Sequence, residues 1–266
     1  MTETFDAEWL DQREPVDHRS RASAPLEPLR AWWTRRRAST VLDLGCGTGS
    51  NLRYLAAKLP APQRWTVVDH DSQLLGRVRT PDADVKVRKV LGDLAVVGLA
   101  EVEGSDLVTA SALLDLVSAD WLRTLVDACV AARSAALFAL TYDGTIGWPR
   151  GEDADDGLIR DAVNQHQRRD KGIGPALGPD AAPVAEELFR AIGYQTWLLA
   201  SPWALAPSDA ALSRALVDGW VRAASEMEPR DAERIRLWGQ RRRAAAAEAD
   251  FALVVGHLDL LALPPE

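Results

Sequence analysis

The stretch Val41-Leu42-Asp43-Leu44-Gly45-Cys46-Gly47-Thr48-Gly49 constrains this chain more than any other. Its apolar lead-in predicts a short buried strand, and three glycines at alternate positions predict a tight turn into a helix that begins near Asn51. Without a Cβ the backbone can take left-handed conformations there and approach a bound molecule closely. Asp43 puts a carboxylate just before the turn, where an amine or a ribose could be held. A dinucleotide-binding turn wants Gly-x-Gly-x-x-Gly. Here Ser50 stands where the third of those glycines would fall.

A strand of this kind needs neighbours, and the chain supplies them. Strand patterns occur at 40–44, 65–69, 85–90, 106–111 and 136–142, separated by helical patterns at 51–59, 71–78 and 119–131. Such alternation with short turns predicts an α/β fold, a doubly wound and mostly parallel sheet covered on both faces. Asp71 and Asp120 are expected to cap their helices. Residues 6–37 read as helix in two pieces broken around Pro25 and Pro28, with Trp9, Leu10, Leu29, Trp32 and Trp33 as apolar anchors. After Tyr142 the rhythm changes: residues 143–179 are polar and rich in glycine and proline, with one helix near 157–169. A helix at 181–192 and a strand at 195–200 restore the pattern, two helices follow at 209–225 and 229–249, and 251–263 supplies a last strand. The organisation expected is a helical segment at 1–39 that covers the site, then one domain at 40–266 with insertions near 143–180 and 201–250.

The glycine segment resembles the first motif of class I S-adenosylmethionine (SAM)-dependent methyltransferases, and later segments extend the resemblance to Tyr142. That family has a Rossmann-like, seven-stranded sheet whose last strand is antiparallel, and seven strands can be counted here. The resemblance implies that Asp43, Gly45, Cys46 and Gly47 lie along the amino-acid part of SAM. Asp69, ending the second strand, would accept from both ribose hydroxyls, with His70 bordering the adenosine. Asp93 would accept from the adenine amino group, and the backbone amide of Leu94 would meet the ring. Ala110 and Ser111 would stand beside the sulfonium, and Arg19, on a segment folded over the cofactor, would meet the methionyl carboxylate. Enzymes of this family that methylate nucleic-acid bases carry an Asn/Asp-Pro-Pro-aromatic box after the fourth strand. Ser111-Ala112-Leu113-Leu114 does not resemble it, which argues against base flipping.

Composition narrows the partners. A net charge of −8 argues against a nucleic-acid partner, and Arg35–Arg37 and Arg241–Arg243 read as solvated helix faces. No apolar run is long enough for a membrane span. The acidic start does not read as a signal peptide, so a cytoplasmic setting is expected. Arginine outnumbers lysine and alanine abounds, as in GC-rich bacterial genomes. Cys46 and Cys129 make neither a disulfide framework nor a metal site.

Methyl transfer from a sulfonium needs alignment and dryness first. A hydroxyl or ammonium acceptor also needs a base. Tyr142 and Asp143, at the end of the fifth strand, and His166, in a dense polar run, are the candidate catalytic groups. Asn164 and Arg168 from that run, with Trp148 and Trp203, are the candidate acceptor contacts. Asp115 reads as a helix-start residue and His257 as structural. The expected reaction is methylation of an oxygen or nitrogen of a small, anionic metabolite, leaving S-adenosylhomocysteine. Protein or RNA methylation and non-catalytic SAM binding are the alternatives, and a homodimer is compatible with the chain.

Overall fold

The computed structural model describes residues 6–265, so the first five residues of the acidic start lie outside it. Helices α1 (Ala7–Ser20) and α2 (Leu26–Arg36) precede the sheet. The chain turns between them at 21–25, and Pro28 sits in the first turn of α2, where a missing N–H costs no helical bond. Then come β1 (Thr40–Leu44), α3 (Ser50–Ala56), β2 (Gln63–Asp69), α4 (Ser72–Arg77), β3 (Val85–Leu91), β4 (Leu107–Ser111) and α5 (Ala119–Ala132). Next are β5 (Ala135–Gly147), α6 (Asp156–Gln167), α7 (Ala181–Ala191), β6 (Gln195–Ala200) and β7 (Trp203–Leu205). The chain finishes with α8 (Ala210–Met227), α9 (Ala232–Ala245) and β8 (Leu253–Leu263).

The strands join in the order β3-β2-β1-β4-β5-β8-β6, with short β7 also pairing β8. The first five run parallel, and β8 is antiparallel to β5, β6 and β7. Strand order reverses between β1 and β4, which opens a crevice at their carboxyl ends. The central strands are near-continuous apolar runs because helices bury both of their faces. Leu29, Trp33, Leu52, Leu55 and Trp65 fill one side, and Leu122, Leu125, Phe138 and Phe189 fill the other. Edge strand β3 carries Lys86, Arg88 and Lys89. The Lys89 ammonium donates to Leu75 O and Val78 O at the end of α4, at 2.8 Å each.

Local capping follows the sequence at one helix and not at another. Asp71 caps α4, accepting from Gln73 N and Leu74 N. At α5 the cap is Ser118, which accepts from Trp121 N at 3.3 Å, and Asp120 lies inside the first turn. Strand β7 adds to the seven strands that the sequence pattern predicts. Short β7 forms because β5 and β8 run on past the parallel sheet, where β5 bends at irregularities between Phe138 and Thr141 and between Tyr142 and Ile146. Helices α6, α8 and α9 cover that extension with a second core containing Ile159, Val217, Trp220, Trp238 and Phe251. Among the described residues no helix is long and apolar enough to cross a membrane.

Candidate active site

A cavity lies at the carboxyl ends of β1, β2 and β4, where strand order reverses. Its floor is the glycine turn. Gly45 and Gly47 have φ of +63° and +52°, which explains the residue type. Asp69 is the next wall: its Oδ2 accepts from Gly47 N at 2.7 Å and its Oδ1 from Asp71 N at 2.9 Å. These two bonds lock the end of β2 to the turn and fix the carboxylate at the cavity. His70 Nδ1 stands 3.5 Å from Asp69 Oδ1 and also faces the cavity. Asp93 and Leu94 line the far end, where Asp93 Oδ1 accepts from Ala95 N at 2.6 Å and starts a short π-helical turn, Leu94–Gly98. Ser111 closes the β4 side. Cys46 also lines the cavity; burial first, then Asp43 and Asp69, push its thiol well above the ordinary range.

Two residues expected at the cofactor stand behind the wall. Ala110 is buried in the core, since successive strand residues face opposite sides of a sheet and Ser111 takes the cavity side. Asp43 is wholly buried; its Oδ1 accepts from Asn51 Nδ2 at 2.7 Å, and Asn51 is the residue that reaches the cavity. Burial, opposed mainly by the Asn51 hydrogen bond and the Arg21 charge, pushes the Asp43 carboxyl up to about 7.

Helix α1 lies across the turn. Leu10, Arg13 and Asp17, spaced along one helical face, line the cavity. A Cβ on Gly47 would stand 3.2 Å from Leu10 Cδ1, so the helix rests almost on the turn. Arg13 donates to Asp17 through Nε at 2.9 Å and through Nη2 at 3.3 Å, and its guanidinium lies over the Trp203 ring, 5.0 Å from the centroid. Further bonds pin the helix: Arg53 donates to Glu14, and His18 Nε2 lies 3.1 Å from Ser50 Oγ. Arg19 is not part of this face. Two residues beyond Asp17 the helix has turned through more than half a circle, and Arg19 pairs with Asp209 at 2.6 Å.

A family of methyltransferase domains matches residues 41–133, from β1 through α5. Over that segment the chain is similar to a methyltransferase domain. The glycine turn and the reversal of strand order between β1 and β4 both lie within this segment. No curated protein matches the chain. Similar solved structures include a SAM-dependent methyltransferase from Geobacter sulfurreducens in complex with S-adenosyl-L-homocysteine, 16% identical over 100% of both chains with a TM-score of 0.48. A second such complex, from Thiobacillus denitrificans, is 17% identical over 97% of this chain and 99% of that one, TM-score 0.44. The YcgJ protein of Bacillus subtilis is 13% identical over 92% and 100%, TM-score 0.48.

Beyond the matched segment the structure departs from the expectations about an acceptor site. None of Tyr142, Asp143, His166, Asn164, Arg168, Trp148 and Trp203 lines the cavity. Tyr142 is buried and donates to Asn164 Oδ1 at 2.8 Å, while Asn164 Nδ2 donates to Gly144 O at 3.0 Å. Burial first, then the Asp143 and Asp115 charges, hold the Tyr142 phenol well above its usual range. Asp143 accepts from Thr145 N at 2.8 Å and packs over Gly256. His166 pairs with Glu226 at 3.4 Å on the far side of α6, where burial leads in lowering its pKa. Arg168 pairs with Asp180 at 2.8 Å. Trp148 is the centre of the second core, edge-on to Trp220 and Trp238 with the Arg242 guanidinium 4.1 Å from its ring centroid. Trp203 acts at one remove, as the platform under Arg13. Asp115 is buried in the turn at Leu114–Leu116.

The cavity residues without a sequence expectation come mainly from three places. Arg13, with Leu10 and Asp17 at helical spacing before and after it, was the available signal on α1. Leu113, Leu116 and Val117, after β4, and Lys171, Gly172 and Ile173, in the loop after α6, bring the rest of the wall. The dense polar run spans 164–172, and its last two residues, Lys171 and Gly172, reach the cavity, whereas the candidates His166, Asn164 and Arg168 come from its earlier part.

Proposed function

We propose that this methyltransferase moves the methyl group of SAM to an oxygen or nitrogen of a small acceptor that carries an anionic group, leaving S-adenosylhomocysteine. The observation that carries the reading is the cavity itself. One half is a glycine turn flanked by the Asp69 and Asp93 carboxylates, and the other is an apolar chamber with Arg13 and Lys171 in its wall. The donor supplies a methyl on a positively charged sulfur, which a nucleophile displaces in line. The glycine turn is a cradle that side chains would fill: a Cβ on Gly45 would stand 3.3 Å from Leu113 Cδ1. Asp69 accepts from the ribose hydroxyls, Asp93 and Leu94 meet the adenine, and the backbone of Gly45–Gly47 runs along the amino-acid part.

The remaining work is to align the acceptor and exclude water. Leu10, Leu113, Leu116, Val117 and Ile173 supply the apolar wall. Arg13, over the Trp203 ring and bonded to Asp17 through Nε and Nη2, would offer its remaining Nη1 to an anionic acceptor. A carboxylate acceptor would need no base, in keeping with a wall to which none of Tyr142, Asp143 and His166 contributes. The cover of α1 over the turn favours a small acceptor over a polymer.

The test is incubation of the pure protein with methyl-labelled SAM and a host extract, followed by size fractionation of the label. Label in small molecules is the expected result. Label in protein or RNA would overturn the acceptor class and leave the cofactor site standing. SAM binding without transfer would favour a non-catalytic module.

A further inference from the structure

We infer that Arg21 is a positioning residue of the cofactor site: anchored by Asp259, it orients Asn51 and so holds the Asp43 carboxylate beneath the glycine turn. The inference rests on the SAM reading above.

The anchor is unusually complete for a buried carboxylate. Asp259, on β8, is 1% exposed. Its Oδ1 accepts from Leu140 N at 2.8 Å and from Ser201 Oγ at 2.7 Å. Its Oδ2 accepts from Ala22 N at 3.0 Å and lies 3.4 Å from Arg21 Nε. One side chain thus ties together the elbow between α1 and α2, the end of β6 and the irregular turn of β5, where Leu140 has a φ of +53°. Arg21 is itself buried, with its guanidinium 4.7 Å from the Tyr54 ring centroid, and it donates from Nη1 to Asn51 Oδ1 at 3.0 Å.

That last bond decides the orientation of the Asn51 amide. With Oδ1 facing the guanidinium, Nδ2 must point to Asp43 Oδ1 at 2.7 Å and Thr109 Oγ1 at 3.1 Å. A flipped amide would set N–H against N–H at Arg21 and oxygen against oxygen at Asp43. Among the described residues Asp43 Oδ2 has no hydrogen-bond partner, so this carboxylate depends on the Asn51 donor and the Arg21 charge. The groups facing it are Arg21 from the elbow, Asn51 from α3, Thr109 from β4, Asp69 from β2 and the Cys46 thiol in the turn.

The relay has a consequence for binding. Arg21 lowers the titration of Asp43, which burial has pushed up to about 7. SAM carries an ammonium and a sulfonium, and these cations favour ionised Asp43. SAM affinity therefore weakens as pH falls through the Asp43 midpoint. Loss of Arg21 raises that midpoint, so the weakening begins at higher pH.

The experiment is calorimetric titration of the full chain with SAM between roughly pH 5 and 9, where a carboxyl held near neutrality changes charge. The variants are Arg21→Met, Arg21→Lys and Asp43→Asn. Wild type is expected to lose up to about tenfold in affinity per pH unit below its midpoint. Arg21→Met should move the midpoint up by about half a unit or more, Arg21→Lys should move it back, and Asp43→Asn should flatten the profile. Should Arg21→Met not fold, Arg21→Leu, which likewise lacks both the donor and the charge, takes its place. A folded variant without the charge that binds SAM with the wild-type midpoint overturns the inference, whether its affinity is unchanged or uniformly weaker. A wild type that binds no SAM at any pH removes the cofactor reading itself.

Discussion

Asp69→Ala is the substitution whose effect on cofactor binding can be worked out most fully from the structure. The carboxylate is 5% exposed, and its two oxygens already accept from Gly47 N and Asp71 N at 2.7 and 2.9 Å. These bonds aim it into the cavity before any ligand arrives, so binding spends little entropy on ordering it. Each hydrogen bond from a ribose hydroxyl to such a charged acceptor contributes about 1.5–3 kcal/mol. Two of them amount to about 3–6 kcal/mol, and at about 1.4 kcal/mol per decade the alanine variant should bind two to four decades more weakly. Asp69→Asn keeps one acceptor oxygen and should lose about half as much on the logarithmic scale. Calorimetry with S-adenosylhomocysteine is the appropriate assay, because that ligand has the ribose and lacks the sulfonium charge. A thermal melt of the unliganded variant separates folding from binding. Affinity within about threefold of wild type in a folded alanine variant would refute the assignment of the ribose to Asp69.

Four further outcomes are expected. Trp148→Ala should cost about 3–5 kcal/mol in urea unfolding, because it empties the centre of the second core, while the SAM affinity of the folded fraction stays unchanged. Gly47→Ala should strain a residue with a φ of +52° by about 1–2 kcal/mol and press on Leu10; weaker SAM binding, partly relieved by Leu10→Ala, would be read by calorimetry. His166→Ala should leave methyl transfer in the labelled assay within about twofold of wild type, since His166 faces Glu226 and not the cavity. Burial, and then the Arg13 charge, push His257 down to about 3. Its folded pKa lies below its unfolded value, so its contribution to stability is whole above about pH 6.5 and falls by about 1.4 kcal/mol per unit as pH drops toward 3. Urea unfolding near pH 7 and pH 5 should therefore show a steeper loss for wild type than for His257→Gln.

The matched segment was legible because its signals are local. An apolar run followed by alternate glycines fixes a strand and a turn within ten residues, and Asp69 and Asp93 fall where the next two strands end. The strand order adds only that these ends meet at one crevice. Ala110 and Asp43 show the limit of position counting. Both sit at the right place in the chain, yet pleat and burial turn one into the core and hide the other behind Asn51. Arg19 and Arg13 share a helix, and only the rotation at which α1 lands on the sheet selects Arg13.

The acceptor side was not legible for a different reason. A polar run such as Asn164–Arg169 looks the same in sequence whether it faces a ligand or an ion-pair partner from a distant helix. Glu226, on α8, and Asp180, just before α7, decide the matter for His166, Arg168 and Arg169. Likewise Trp148 could have walled a pocket until Trp220, Trp238 and Phe251 closed around it. By itself, then, the sequence determined the alternation of strands and helices, the glycine turn and the acids at the strand ends, since these depend on backbone conformation and short-range pattern. Tertiary structure alone decided which faces of α1 and of the loop after α6 meet the cavity, and which polar side chains are spent on one another. Those choices depend on contacts between residues tens to hundreds of positions apart, which no local pattern encodes.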